Sequence, residues 1–257
     1  MNYTLLREWD NLPTVGVLQR LLNRSGAKLK VDGNYGPRTK AAVQQFQLAR
    51  RLAADGIVGV DTWPRVSAGV NLPIIDCIDV FDPSLQQLEA ADIRRTGGNP
   101  IVVGGMCNGV EQAVNQILGA ARGAFLLRFH GHGARGAAGI SSGHGELDPN
   151  MVHRADIALQ NLRQIQPVLM RLRSIFGPYG CVQFMHCETG GGPNGRRMLQ
   201  QIADLLGVPA TAGLHTQYGG GTKTFRFEGA TFTAIPGGGS LSAWCGMLPD
   251  FAAFSPA

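Results

Sequence analysis

No run of residues in this chain approaches the ~20 consecutive apolar positions that a bilayer-spanning helix needs, and mean hydropathy is close to zero. Both point to a soluble globular chain without a membrane span. The N-terminus lacks the apolar core of a secretory signal, because Arg7, Glu8, Trp9 and Asp10 stand where it would fall. Cysteine is scarce: Cys77, Cys107, Cys181, Cys187 and Cys245 form an odd set with no C-x-x-C pair. That argues against a disulfide framework and against a structural zinc knuckle. The glycine-rich runs 190–192, 219–221 and 237–239 lack the Lys-Ser/Thr partner of a phosphate cradle, so they read as loops around a site. Charged residues make up only 16%, and the basic ones cluster no further than Arg50-Arg51, Arg94-Arg95 and Arg196-Arg197. No nucleic-acid-binding motif is present, and nucleic acid is not expected as a partner.

What is present suffices for one or two domains with real cores: 257 residues, of which 44% are hydrophobic. The net charge of +5 suits an anionic partner such as a cell wall. A repeat stands out early. Residues 32–39 and 55–62 both have the form D-G-x-x-G-x-x-T, which reads as a tight turn followed by a helix start. Pro37 suits an early helical position, where no amide donor is needed. Val15, Leu18 and Leu22 form the apolar face of one helix, and Thr39, Val43 and Phe46 that of another. Trp63 and Val66 would pack a short third helix onto both. Residues 1–70 are thus expected to be a small all-α three-helix module.

Residues 15–22, the run D-G-N-Y-G-P-R-T-K-A-A-V-Q-Q-F-Q from Asp32, and D-G-I-V-G-V-D-T-W from Asp55 resemble the peptidoglycan-binding domain that accompanies wall enzymes. The resemblance implies peptidoglycan as a partner, and a location at the cell wall or outside the cell, despite the missing signal. Tyr35 and Arg38, just past the first D-G turn, are candidates to offer a ring and a charge to a stem peptide or sugar. In the plainer alternative, Asp32 and Asp55 only close turns and Tyr35 only packs.

Residues 71–257 have a different texture. Apolar runs at 74–80, 100–103, 124–129, 181–187 and 208–212 read as strands. They alternate with helical patterns at 84–95, 109–121, 155–176 (divided at Pro167) and up to Leu206, where Gly207 stops the helix. Residues 222–227 and 231–235 read as a terminal hairpin. Strands alternating with helices imply an α/β domain with a mostly parallel sheet, whose sites lie beyond the carboxyl ends of the strands. Two reactive segments fall there. One strand runs into His130-Gly131-His132-Gly133, and another ends at Cys187, followed by Glu188-Thr189-Gly190.

The segment F-H-G-H-G at 129–133 resembles the His loop Y-S-G-H-G of metacaspases, and M-H-C-E-T-G at 185–190 resembles their D-C-C-H-S-G. The resemblance spans about 74–213 and includes the order of strands and helices. It implies a caspase-like cysteine peptidase without cofactor, acting on a peptide or protein substrate. Cys187 would be the nucleophile and His132 the acid–base group, with the amides of Gly133 and Cys187 holding the oxyanion. His130 and His186 would support the pair, His186 by adjusting the thiol's acidity. Met185 stands where metacaspases carry an Asp for basic side chains, so that specificity is not implied. Two alternatives from other classes stay open. One is a catalytically inactive caspase-like wall-binding protein. The other is a zinc amidase or peptidase using His130, His132, His144, His186 and Cys187. Gly180-Cys181-Val182-Gln183 faintly resembles the G-C-[IV]-R segment of L,D-transpeptidases. Cys77, Cys107 and Cys245 read as core, and His153 and His215 as surface or satisfied residues.

Overall fold

The computed structural model describes residues 3–104, 109–120, 122–140, 155–218 and 225–252. Cys107, His144, His153 and the glycine run 219–221, all named above, lie outside them. The chain divides into two units: Met1–Leu72 with Thr224–Arg226 and Gly239–Ala257, and Pro73–Lys223 with Phe227–Gly238.

The first unit carries helices α1 (Pro13–Arg24), α2 (Pro37–Ala49) and α3 (Trp63–Val66). Prolines open α1 and α2, where the missing amide costs nothing. Val15, Leu18, Leu22, Val43, Trp63 and Val66 are all buried, as the helical spacing requires. The repeat resolves into two copies of one buried polar device. Gln19 Nε2 reaches Asp32 Oδ1 (3.0 Å), the Asn34 carbonyl (3.0 Å) and Thr39 Oγ1 (3.2 Å), while its Oε1 accepts from the amides of Asp32 and Gly33. Gln47 does the same with Asp55 Oδ1 (2.9 Å), the Ile57 carbonyl (2.9 Å) and Thr62 Oγ1 (3.1 Å), its Oε1 accepting from the Gly56 amide. A glutamine on the preceding helix thus satisfies each turn from inside, and Asp32 and Asp55 close turns.

The expected boundary of a second domain running from 71 to 257 is corrected at its far end. A C-terminal helix, Leu241–Met247, belongs to the first unit. It sits so close to α1 that a Cβ on Gly16 would lie 2.5 Å from Cys245 Sγ, and one on Gly33 2.8 Å from Leu241 Cγ. Two glycines thus create the seat, and Cys245 fills it.

The second unit begins with β1 (Ile74–Asp79), α4 (Pro83–Arg95), β2 (Ile101–Val103), α5 (Gly109–Ala120) and β3 (Ala124–His130). Three short strands follow, β4 (Gly133–Ala134), β5 (Ala137–Gly139) and β6 (Asp156–Ala158), forming an antiparallel sheet of their own. Then come α6 (Leu162–Leu169), a 3-10 turn (Met170–Ile175), β7 (Phe176–Phe184), α7 (Gly192–Leu206), β8 (Ala210–Gly213) and β9 (Thr231–Ala234). The main sheet has the order β2-β1-β3-β7-β8-β9, parallel except for the last pair.

Two expectations change here. The helix expected from 155 begins only at 162, because residues 156–158 pair with β5 and Asn161 turns the chain with bonds to Ala158 and Asp156. The strand expected from 181 begins at 176 despite Pro178. The β3–β7 register slips between the pairs Ala124–Phe176 and Leu126–Cys181, so Pro178 falls in a bulge where no ladder amide is required. Of the expected terminal hairpin, residues 222–224 lie outside the described residues, and Thr231–Ala234 pairs antiparallel with β8.

One sheet face is the apolar core: Ile75, Leu127, Val182 and Phe184 pack with α5, α6 and α7. The other carries a polar row in register across five strands, Asp76–Arg128–Gln183–Thr211–Thr233, buried up to Thr211 and half-buried at Thr233. Arg128 grips Asp76 through Nε (2.6 Å) and a terminal nitrogen (3.1 Å) with both side chains out of solvent.

Candidate functional site

The central strands β3 and β7 run in parallel with Phe129 opposite Phe184, and the Met185 amide donates to the Phe129 carbonyl (2.8 Å). His132 and Cys187 each lie three residues beyond that registered pair. Cys187, expected as the end of a strand, therefore sits in the loop past it. The two loops touch. A Cβ on Gly133 would stand 2.6 Å from Thr189 Oγ1 and 2.7 Å from His186 Cβ, and one on Gly131 (φ +151) 2.9 Å from Asp79 Cβ. Only residues without side chains let the His loop lie this flat against the Cys loop.

His132 is half exposed. Its Nε2 lies 3.3 Å from Asp82 Oδ2, and Phe81 meets its ring edge-on at 5.9 Å. Asp82 also caps α4, accepting from the amides of Ser84 and Leu85. Those amide bonds and the imidazole hold its carboxyl below the usual range. The Cys187 sulfur is partly accessible and lies 3.3 Å from both the amide nitrogen and the carbonyl oxygen of Gln217. The Gln217 side chain ties its own loop down, accepting from the Glu228 amide (2.8 Å) and donating to the Glu228 carbonyl (3.2 Å). Glu188, next to the thiol, holds a left-handed φ of 52° that a non-glycine residue adopts only under constraint. Glycines 190 and 191 are packed rather than open: a Cβ on either would meet backbone oxygens 2.9 Å away.

The other two histidines are fastened below. His130 is buried, with Nε2 2.9 Å from Asp76 Oδ1 and Nδ1 3.8 Å from Glu89 Oε1. Burial alone would lower its pKa, but the bonds to Asp76 and Glu89 outweigh it and raise it to about 9. Burial also opposes ionisation of Asp76, yet Arg128 and His130 hold its pKa down to about 2. His186 is buried with Nε2 2.8 Å from the Gly139 carbonyl, to which it donates. Among the described residues its Nδ1 has no partner, and burial pushes its pKa down to about 4. It is a neutral structural link between the Cys loop and β5.

Among the described residues no three His, Cys, Asp or Glu side chains converge as a metal-ligand set. Cys181, of the transpeptidase-like segment, is buried in β7. Cys77 is fully buried in β1, and burial raises its thiol pKa above the ordinary range. Asp82 and Gln217 were not legible as site residues, because neither stands in a motif and each arrives from a different connection. In the first unit Arg38 is exposed, but Tyr35 is not available to a ligand. It is wholly buried and donates its hydroxyl proton to the Gly56 carbonyl (2.8 Å), so its ring is core.

Residues 11–65 match the family of peptidoglycan binding domains. The chain is 57% identical over 42 residues to the zinc D-Ala-D-Ala carboxypeptidase of Streptomyces albus G, which is 16% of this chain and 16% of that protein. It is 53% identical over 36 residues to the N-acetylmuramoyl-L-alanine amidase CwlL of Bacillus licheniformis, covering 14% of this chain and 10% of the amidase. The crystal structure of a Burkholderia AP3 phage endolysin is similar at 39% identity, covering 36% of this chain and 34% of that one, with a TM-score of 0.26. The chain thus spans a small part of these relatives' lengths. Residues 11–65 are a peptidoglycan-binding domain, followed by an α/β unit with a mostly parallel sheet.

Proposed function

We propose that the protein is a wall-targeted, caspase-like cysteine hydrolase of peptide bonds, with Cys187 as nucleophile and His132 as its acid–base partner. One observation carries the reading: adjacent parallel strands deliver the two loops to the same sheet edge, three residues past a registered pair, with glycines pressing one loop onto the other. A parallel sheet with His first and Cys second at neighbouring strand ends is what the metacaspase resemblance implies.

In this mechanism His132 takes the thiol proton as Cys187 Sγ attacks the carbonyl carbon, and returns it to the leaving amine. Water then hydrolyses the thioester, with His132 accepting its proton. The amides of Gly133 and Cys187 are the candidate donors to the oxyanion. Asp82 orients the imidazole from a third strand end. The chemistry named for the relatives, zinc carboxypeptidase and amidase, belongs to proteins matched over 42 and 36 residues and does not transfer.

The test is release of new amino groups from purified peptidoglycan and from cross-linked muropeptides. Cys187→Ala and His132→Ala are each expected to lower the rate by ~10²-fold or more, and Asp82→Asn to lower kcat several-fold with KM unchanged. Iodoacetamide should modify Cys187 ahead of buried Cys77 and stop the reaction. Full activity after complete Cys187 alkylation would end the thiol mechanism. No hydrolysis by a chain that still sediments with the wall would favour the inactive binding protein.

A further inference from the structure

The two copies of the D-G-x-x-G-x-x-T device share one scaffold, so what differs between them is not demanded by folding. Beside the first copy lies a cavity of about 430 Å³, a volume in the range of small-molecule sites. Lys28, Lys30 and Arg38 line it, with Asp32 and Asn34 at its polar wall. All three cations are exposed. Asp32 is already engaged, its Oδ1 accepting from Gln19 Nε2 and from the Asn34 amide (3.0 Å each). The lining therefore carries an excess of positive charge that its own carboxylate does not absorb.

The second copy supplies an internal control. Aligned on Asp32 and Asp55, Lys28 corresponds to Arg51, Lys30 to Ala53 and Arg38 to Asp61. The first copy has three cations to one carboxylate; the second has one cation and two carboxylates. Gln47, Asp55 and Thr62 nevertheless make the same bonds as Gln19, Asp32 and Thr39. The cations of the first copy are thus spare as far as folding goes. No side chain caps the start of α2, which opens at this cavity with Pro37, Arg38 and Thr39 among its lining, so its first-turn amides add to the positive field.

We propose that this cavity is the wall-recognition site of the first unit and that it takes a carboxylate of the peptidoglycan stem peptide. The inference rests on that unit docking on peptidoglycan, and adds which unit of the polymer is read and by which side chains. A stem peptide ends in a carboxylate and carries further side-chain carboxylates, whereas the glycan hydroxyls are neutral. A cationic cavity with an amide-bearing asparagine suits the former. Lys28 and Lys30 act as point charges, and Arg38 can take a carboxylate through two parallel N–H bonds.

The experiment measures binding of the full chain to purified peptidoglycan stripped of wall phosphate polymers, by sedimentation at low salt. The variant Lys30→Ala/Arg38→Asp places in the first copy what the second already carries, and Arg38→Gln is the milder companion. Thermal unfolding checks that both remain folded. The double variant should bind at least tenfold more weakly and Arg38→Gln several-fold, while Asp61→Asn in the second copy should bind as the parent. Peptidoglycan whose carboxylates have been converted to amides should bind the parent no better than the double variant. Unchanged binding by a folded double variant overturns the proposal, as does undiminished binding of the parent to amidated peptidoglycan. So does displacement of the parent by soluble wall phosphate polymer with amidated peptidoglycan still bound, since phosphate would then be the ligand. If the parent itself stays in the supernatant on native peptidoglycan, the docking reading fails together with this one.

Discussion

His130 and His186 are two residues of one sheet edge whose protons are held in opposite senses. His130, tied to Asp76 and Glu89, has its pKa raised to about 9 in the folded chain. Against an unfolded value near 6.5, its contribution to stability is complete below pH 6.5 and is lost as pH rises through 9. His186, buried with its Nε2 on the Gly139 carbonyl, is pushed down to about 4. Folding favours its neutral form, so its contribution is complete above pH 6.5 and is lost as pH falls towards 4. Asp76, held down to about 2, keeps its contribution until pH drops below the ordinary carboxylate range. Thermal stability should therefore peak near pH 6.5 and fall on either side, each limb representing a few kcal/mol. His186→Gln, which keeps a donor for the Gly139 carbonyl, should flatten the acid limb between pH 6.5 and 4.5 and leave the alkaline one. An acid limb as steep in the variant as in the parent would assign the loss to other groups.

At the scale of elements, the repeated turns show how a short motif depends on a residue outside it. The D-G-x-x-G-x-x-T pattern identifies two turns, but each turn is closed by a glutamine from the preceding helix, Gln19 or Gln47. Gln47→Met keeps the volume and removes the acceptor of the Gly56 amide, while Thr62 Oγ1 loses one donor and keeps its bond to the Ile57 carbonyl (3.3 Å). Leaving a buried amide without a partner costs ~1–3 kcal/mol before any relaxation. Urea unfolding followed by tryptophan fluorescence should show an unfolding free energy lowered by that order, with a lower midpoint. A midpoint within error of the parent would mean that water replaces the glutamine without loss. The main sheet makes the same point with charge. Arg128 sits in a strand that reads as continuous apolar sequence, and it is tolerated because Asp76 lies in register on the neighbouring strand.

At the scale of the whole molecule, the course of the chain differs from a simple succession of two domains. The last helix, Leu241–Met247, completes the first unit: Cys245 sits where Gly16 leaves room, and Arg20 reaches Asp250 (2.5 Å) and the Gly246 carbonyl (2.9 Å). Removing the residues after Gly238 should therefore destabilise the wall-binding unit rather than the α/β unit. The expected result is loss of sedimentation with peptidoglycan together with protease sensitivity before residue 72. Retention of wall binding by the shortened chain would show that the helix is dispensable there.

The sequence by itself determined what depends on local spacing. The 3.6-residue period of Val15, Leu18 and Leu22, the doubled glycine turns, the alternation of apolar runs with helices, and Gly207 as a left-handed helix stop (φ 72) were all legible. So was the placement of His132 and Cys187 at the same end of the sheet, because strand polarity in a parallel sheet follows from chain order. Tertiary structure decided whatever depends on residues distant in the chain. It put Tyr35 into the core, bonded to Gly56, where its place after a turn had left a ligand-facing ring and a packed one both open. It turned residues 156–158 into a strand by offering β5 as a partner, and paired β9 with β8. It brought Asp82 to His132 and Gln217 to Cys187 from separate connections, across 50 and 30 residues. Local periodicity fixes which face of an element is apolar. Which element covers that face, and which polar group meets which, is settled only when the whole core closes at packed density.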